Sequence, residues 1–191
     1  MRICGMDEVG RGCLAGPLTA AAVIINHQET RNKLKDSKKL NSKQRNKLYK
    51  KILKMADVVE IEIISVRQIN NRGMGWANKQ IFKNLIKRIE ADKYIVDGNL
   101  KISVQRLASS VQSVVKADTK IPEVMAASIV AKVTRDKLMK ELHKKHPKYG
   151  WRTNVGYGTR YHIRAIKEFG MIRYHRSVFV TTALRNAKNL L

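Results

Sequence analysis

Acidic residues are scarce in this chain of 191 residues, with 15 Asp and Glu against 39 Lys and Arg and a formal charge of +24 at pH 7. A field so strongly positive makes polyanions the obvious partners. Long apolar runs are missing as well. None approaches the roughly 20 residues that span a bilayer, and the opening MRICGMDEVG has no basic stretch leading into an apolar one. A membrane or secreted protein is therefore set aside, and a soluble cytoplasmic one is expected. Cysteine is confined to Cys4 and Cys13, where a disulfide would only tie a short segment to itself, so reduced thiols are expected. No internal repeat or linker-like stretch divides the chain. With 43% hydrophobic and 28% charged residues it falls outside the disordered class, and its length suits one domain over residues 1–191.

What is present is organised as alternating strands and helices. Residues 1–7 and 18–26, the latter after Pro17, read as two strands of a hairpin around a Gly-rich turn. A helix is expected over 42–55, capped by Asn41 or Ser42, with Leu48, Ile52 and Met55 at helical spacing and a largely basic opposite face. Residues 31–54 hold eleven Lys or Arg and one acid, Asp36. Two readings of that segment weigh equally: a surface that faces phosphate, or a solvated basic helix. Alternation predicts a strand over 58–65, with Ser65 capping an irregular helical stretch to Ile89 that Gly73 and Gly75 interrupt. Strands are expected at 93–98 and 111–118, and a helix over about 122–143 from Pro122, whose Ala126, Ala127, Ser128 and Ala131 permit close approach to a sheet. After Pro147 an irregular aromatic loop (WRTNVGYGT) precedes a helix over 160–169 and a C-terminal segment with helical character. The whole reads as one α/β domain, with residues 160–191 its helical C-terminal portion.

Four acids stand at or near the ends of apolar strands: Asp7 and Glu8, Asp97 in IVDG, and Asp118 in VVKAD. Neighbouring strand residues point to opposite faces, so Asp7 and Glu8 share a site only where the strand breaks, and Gly10 and Gly12 supply a break. Taken singly, each acid has an ordinary reading as turn, cap or surface charge. Taken together, carboxylates gathered at strand ends repel one another unless a cation intervenes, and an all-oxygen donor set suits Mg²⁺ or Mn²⁺. Two such ions can activate water and stabilise the leaving oxygen in phosphodiester hydrolysis.

DEVGRG (7–12), DSKKL (36–40), VDG (96–98), KAD (116–118), AASIVAKVTRD (126–136) and GYGT (156–159), in that order, resemble ribonuclease HII over residues 7 to about 178. The resemblance implies a ribonuclease H-like fold, with a central mixed sheet flanked by helices and a helical C-terminal segment. It implies an endonuclease acting on the RNA strand of RNA–DNA hybrids and on the 5′ side of ribonucleotides embedded in duplex DNA. Its catalytic and metal-binding residues would be Asp7, Glu8, Asp97 and Asp118, with two divalent ions, Mg²⁺ or Mn²⁺. Gly10, Arg11 and Gly12 would read the ribose 2′-hydroxyl through backbone groups. Tyr157 would stack on the sugar of the following deoxynucleotide, and Ser37, Lys38 and Lys39 would grip phosphates.

Without the resemblance, Tyr157 reads as a core or hydrogen-bonded tyrosine and Lys38 as a solvated lysine. His143 and His146 read as surface residues, and Asp136 as a structural partner. The family's His-Arg-x-Ser-Phe run appears here as His175, Arg176, Ser177, Val178, Phe179, a departure that leaves the terminal segment without an assigned role. A non-catalytic binder of RNA or ribosomes would explain the charge but not the strand-end acids. Ribonuclease HIII typically carries an additional N-terminal domain, whereas the first acidic pair here begins at residue 7. The expected partner is nucleic acid, acted on by a monomer, and no clamp-recruiting peptide is evident at the C-terminus.

Overall fold

The computed structural model describes residues 1–26, 34, 41–102 and 111–188. Its five strands are β1 (Ile3–Val9), β2 (Leu18–Ile24), β3 (Val58–Ile64), β4 (Lys93–Asp97) and β5 (Val111–Val114), in the sheet order β3-β2-β1-β4-β5. The sheet is mixed: β1 runs antiparallel to β2 and parallel to β4, and β4 runs parallel to β5. The helices are α1 (Ser42–Met55), α2 (Val66–Ile86), α3 (Pro122–Lys145), the single turn α4 (Trp151–Asn154), α5 (Arg160–Phe169) and α6 (Ser177–Lys188). Among the described residues no helix is long and apolar enough to cross a membrane.

Local chemistry accounts for the boundaries. Asn41 and Gln44 form a capping box at α1: the Asn41 side chain accepts from Gln44 N–H, and Gln44 Oε1 accepts from Asn41 N–H, each at 2.9 Å. Ser65 and Gln68 repeat the device ahead of α2, at 3.0 and 3.3 Å. Inside α2 only Gly73 leaves helical geometry, at φ 80°, so Gly75 does not act as the second interruption expected of it.

Contacts divide the described chain into two compact units. The first comprises Met1–Val9, Thr19–Ile63 and Asn78–Val133. There β2 is buried along its whole length, and Ala21, Val23 and Ile25 meet Ile52 of α1 and the Met125–Val133 part of α3 in one core. Gly5 of β1 lets α3 approach closely, since a Cβ at Gly5 would overlap the backbone of Glu123 and Val124.

The second unit comprises Gly10–Leu18, Ile64–Ala77 and Thr134–Leu191. Its core gathers Leu14, Ala15, Met139, Tyr149, Trp151, Ala165, Ile166 and Val180, with Tyr149 stacked on Trp151 at 5.1 Å. The stretch expected to be an irregular aromatic loop is more ordered: a 3₁₀ turn (Pro147–Tyr149) and α4 precede Val155. Asn154 organises it, donating from Nδ2 to Tyr149 O and accepting from Gly156 N–H, both at 2.8 Å.

Candidate active site

Two of the four acids come together on one side of the sheet of the first unit. In parallel β1 and β4 the last paired residues are Met6 and Val96, and Asp7 and Asp97 are the next residues of each strand. Residues 5, 7 and 9 of β1 share the face that carries α3. Gly5 approaches Glu123, Val9 packs on the core built around α3, and Asp7 receives a hydrogen bond from the Ser128 side chain of α3. Asp7 Oδ1 also accepts from Glu8 N–H at 2.8 Å.

Despite those donors, the Asp7 carboxyl is pushed up from 3.8 to about 7. Burial is the largest cause, followed among the raising effects by the charges of Glu8 and Asp97, and only the hydrogen bonds from Ser128 and Glu8 oppose them. A group so placed gains most from a neighbouring cation.

The strand does not break at the acidic pair. Asp7, Glu8 and Val9 continue the antiparallel register opposite Ala21, Ala20 and Thr19, and the Glu8 charge still acts on the Asp7 carboxyl. The break expected from the glycines comes one residue later, at Gly10, whose φ is +98°. Among the described residues no three His, Cys, Asp or Glu side chains converge as a ready cage for an ion. The donor chemistry nevertheless fits a hard cation: carboxylate oxygens only, with Asp7 burdened by two negative neighbours.

Asp118 is not at the end of a strand. β5 stops at Val114, and Lys116, at φ 58°, turns the chain into a 3₁₀ helix over Ala117–Thr119. The turn brings Ala117 N–H to Asp97 Oδ1 at 2.7 Å, with Asp118 N–H further off at 3.5 Å. A sheet position is thereby exchanged for a backbone clasp on the carboxylate of β4. Asp118 lines a cleft of ≈ 360 Å³ together with Arg45 of α1 and Ser128 and Lys132 of α3. Ser128, read from the sequence only as a small residue, thus joins the Asp7 carboxyl to this cleft. Arg45 and Lys132 were also missed, because one basic residue among many carries no distinguishing signal.

In the second unit, Cys13 N–H reaches Gly10 O at 3.5 Å, which leaves Arg11 and Gly12 exposed at the tip of a turn. Among the described residues a Cβ at Gly12 would meet nothing within 4 Å, so their packing does not demand glycine there. Tyr157 lies alongside the turn, in hydrogen-bond contact with the Cys13 side chain, and is 42% exposed rather than a core residue. Its carbonyl meets Nδ1 of buried His162 at 2.9 Å, and His162 Nε2 lies 3.2 Å from His175 Nε2. His175 is therefore a core residue with defined partners. Ser37, Lys38 and Lys39 lie outside the described residues.

Known proteins resemble this chain over most of its length. Residues 4–182 match the family model for ribonuclease HII. Ribonuclease HII of Wolbachia pipientis subsp. Culex pipiens (strain wPip) is 45% identical over 180 residues, covering 93% of this chain and 89% of that protein. Among solved structures, that of ribonuclease H2 from Pyrococcus horikoshii OT3 superposes with a TM-score of 0.80 at 27% identity, covering 97% of this chain and 98% of that one. The PCNA:RNase HII complex from Archaeoglobus fulgidus matches with a TM-score of 0.80 at 28% identity, over 92% and 94% of the two chains.

The fold is that of the ribonuclease H-like nucleases. The chain belongs to the ribonuclease HII family. It is accordingly a metal-dependent ribonuclease, an endonuclease that cleaves RNA in RNA–DNA hybrids.

Proposed function

We propose that this enzyme also incises duplex DNA on the 5′ side of single embedded ribonucleotides, leaving 5′-phosphate and 3′-hydroxyl ends. It would thereby serve ribonucleotide removal as well as degradation of RNA primers. The observation that carries the reading is the Asp7 carboxyl, raised to about 7 by burial first and then by the charges of Glu8 and Asp97. Asp7, Glu8, Asp97 and Asp118 are the residues to hold two divalent ions, Mg²⁺ or Mn²⁺. When bound, those ions supply activation of water and neutralisation of the departing oxygen.

The chain's own groups do the rest. Ser128 and the Glu8 N–H fix the Asp7 carboxyl, and the Ala117 N–H fixes that of Asp97. Both carboxylates are thus set before substrate arrives. Gly10, Arg11 and Gly12 read the ribose 2′-hydroxyl through backbone groups. The space at Gly12 supports this, because among the described residues nothing stands where its Cβ would be, and a ligand's sugar can approach the backbone there. Half-exposed Tyr157 offers its ring to the adjoining sugar, and Ser37, Lys38 and Lys39 hold phosphates. We place the enzyme in the cytoplasm as a single-domain monomer. The Archaeoglobus complex with PCNA supports a DNA clamp protein as a further partner.

The test is cleavage of a labelled DNA duplex bearing one ribonucleotide, with Mg²⁺, with Mn²⁺ and with chelator, beside an all-DNA duplex and the variants Asp7→Asn and Asp97→Asn. A metal-dependent nick 5′ to the ribonucleotide, lost in both variants, is the expected result. Cleavage of long hybrids without any nick at the single ribonucleotide would restrict the enzyme to hybrid substrates and overturn the reading.

A further inference from the structure

The second unit contains two buried cations for which the activity described so far has no use. Arg135 and Arg176 are both 0% exposed. Burying a guanidinium costs free energy unless its donors are satisfied, and here they end on backbone carbonyls. Arg135 donates from Nε to Pro17 O at 3.0 Å, from Nη1 to Val155 O at 2.8 Å and from Nη2 to Ala15 O at 3.0 Å. Arg176 donates from Nε and Nη2 to Gly16 O at 3.0 and 2.8 Å, and from Nη1 to Arg11 O at 2.9 Å.

The carbonyls so held share a location. Four belong to the segment that begins with the Gly10-Arg11-Gly12 turn, and the fifth, that of Val155, lies two residues before Tyr157. The same strands of backbone are tied together directly, by Leu14 N–H to Gly156 O at 2.8 Å, Gly16 N–H to Tyr174 O at 2.9 Å and Arg176 N–H to Leu14 O at 2.8 Å. Val155 has φ 42°, a left-handed conformation that a β-branched residue rarely adopts. Such a conformation persists where its surroundings enforce it, and Arg135 grips the carbonyl of that same residue. Gly10, at φ +98°, has no Cβ because the Arg135 guanidinium occupies that space.

The bond to Arg11 has a further electrical consequence. The Arg11 carbonyl and the Gly12 N–H belong to one peptide group. A carbonyl that accepts from a cation polarises its peptide, which makes the N–H at the other end a stronger donor. The strengthened donor belongs to exposed Gly12, the residue where a Cβ would meet nothing among the described residues.

We propose that Arg176, acting through the Arg11 carbonyl, is a positioning residue that sets the enzyme's preference for a ribose over a deoxyribose, with Arg135 bracing the Tyr157 side of the same loop pair. The inference rests on the ribose-reading role given above to residues 10–12. It gives the His175-Arg176 run a function that its sequence pattern leaves open.

The test uses Arg176→Lys and Arg135→Lys, which keep a cation and an apolar stem but lose the planar fork. Affinity is measured with Ca²⁺ in place of the catalytic ions, for two duplexes that differ by one 2′-hydroxyl, and urea unfolding checks the fold. Wild type should favour the ribonucleotide duplex. Arg176→Lys should unfold cooperatively, bind all-DNA duplex as wild type does, and lose on the order of tenfold of that preference, the equivalent of one charge-assisted hydrogen bond. At fixed ionic strength, added guanidinium ion should leave the all-DNA affinity of Arg176→Ala unchanged but restore part of its preference. A folded Arg176→Lys with the wild-type preference intact overturns the proposal. Failure of both lysine variants to fold overturns it too, because the pair is then a structural support. If wild type itself shows no preference, it is the ribose-reading role of the turn that fails.

Discussion

Replacing Asp7 by Asn should stabilise the metal-free protein while abolishing its activity. The Asp7 carboxyl is raised from 3.8 to about 7, chiefly by burial and then by the charges of Glu8 and Asp97. The sign follows from proton counting. Between those two values the native state holds a proton that the unfolded chain has released, so stability falls as pH rises through that window. With 1.36 kcal/mol per unit, the loss reaches about 4 kcal/mol once pH exceeds about 7, as an upper bound. Asparagine carries no charge to desolvate, and its amide oxygen can still accept from Glu8 N–H, where the distance is 2.8 Å. Urea midpoints in chelator at about pH 8 should therefore favour Asp7→Asn by up to about 4 kcal/mol, and near pH 4 the two proteins should converge. Excess Mg²⁺ should raise the wild-type midpoint more than the variant's, because only the wild type offers the full negative charge to a cation. A difference between the two proteins that stays constant across pH would refute the reasoning, since it would place the cost in packing rather than in buried charge.

Two other expectations concern the parts that carry the site. The His175 imidazole is lowered to about 4, by burial first and then by the neighbouring His162. The unfolded chain then takes up a proton near its ordinary value that the native state refuses, so stability drops as pH falls from about 6.5 towards about 4, by about 3 kcal/mol. His175→Gln should flatten that part of the pH profile, and a profile of unchanged slope would remove the histidine pair as its source. Gly5→Ala should lower the urea-unfolding free energy by about 2–3 kcal/mol, because a Cβ there meets the backbone of Glu123 and Val124 rather than a yielding side chain.

The elements of this fold were legible where local chemistry decides them. The capping residues at 41 and 65, the alternation over 58–65 and the helical spacing in 42–55 each mark an element that the structure contains. Asp7, Asp97 and the glycine turn could likewise be singled out, because acids and glycines next to apolar strands are conspicuous. Asp118 was harder to place. VVKAD continues an apolar run, and nothing in its composition announces that a lysine, at φ 58°, will leave the sheet so that Ala117 N–H can clasp Asp97. The acidic pair misled in the opposite way, since two glycines suggested a break that the register postpones beyond Val9.

The two arginines were illegible for a deeper reason. Hydrophobic periodicity registers residues that bury apolar surface, and motif spacing registers side chains that act on a ligand. Arg135 and Arg176 do neither. Their partners are carbonyls, which every residue possesses, and those in the Gly10–Leu18 segment lie 118 to 165 residues away along the chain. In a chain with 39 Lys and Arg, two cations of this kind are hidden among those that face solvent. The histidines at 162 and 175 are concealed similarly, since one meets a carbonyl at 2.9 Å and the other a backbone N–H at 2.9 Å. Side chains that position other residues through the backbone leave no composition or period to read. They come into view only once the loops they hold have been placed in space, and in this enzyme those are the loops expected to meet the ribose.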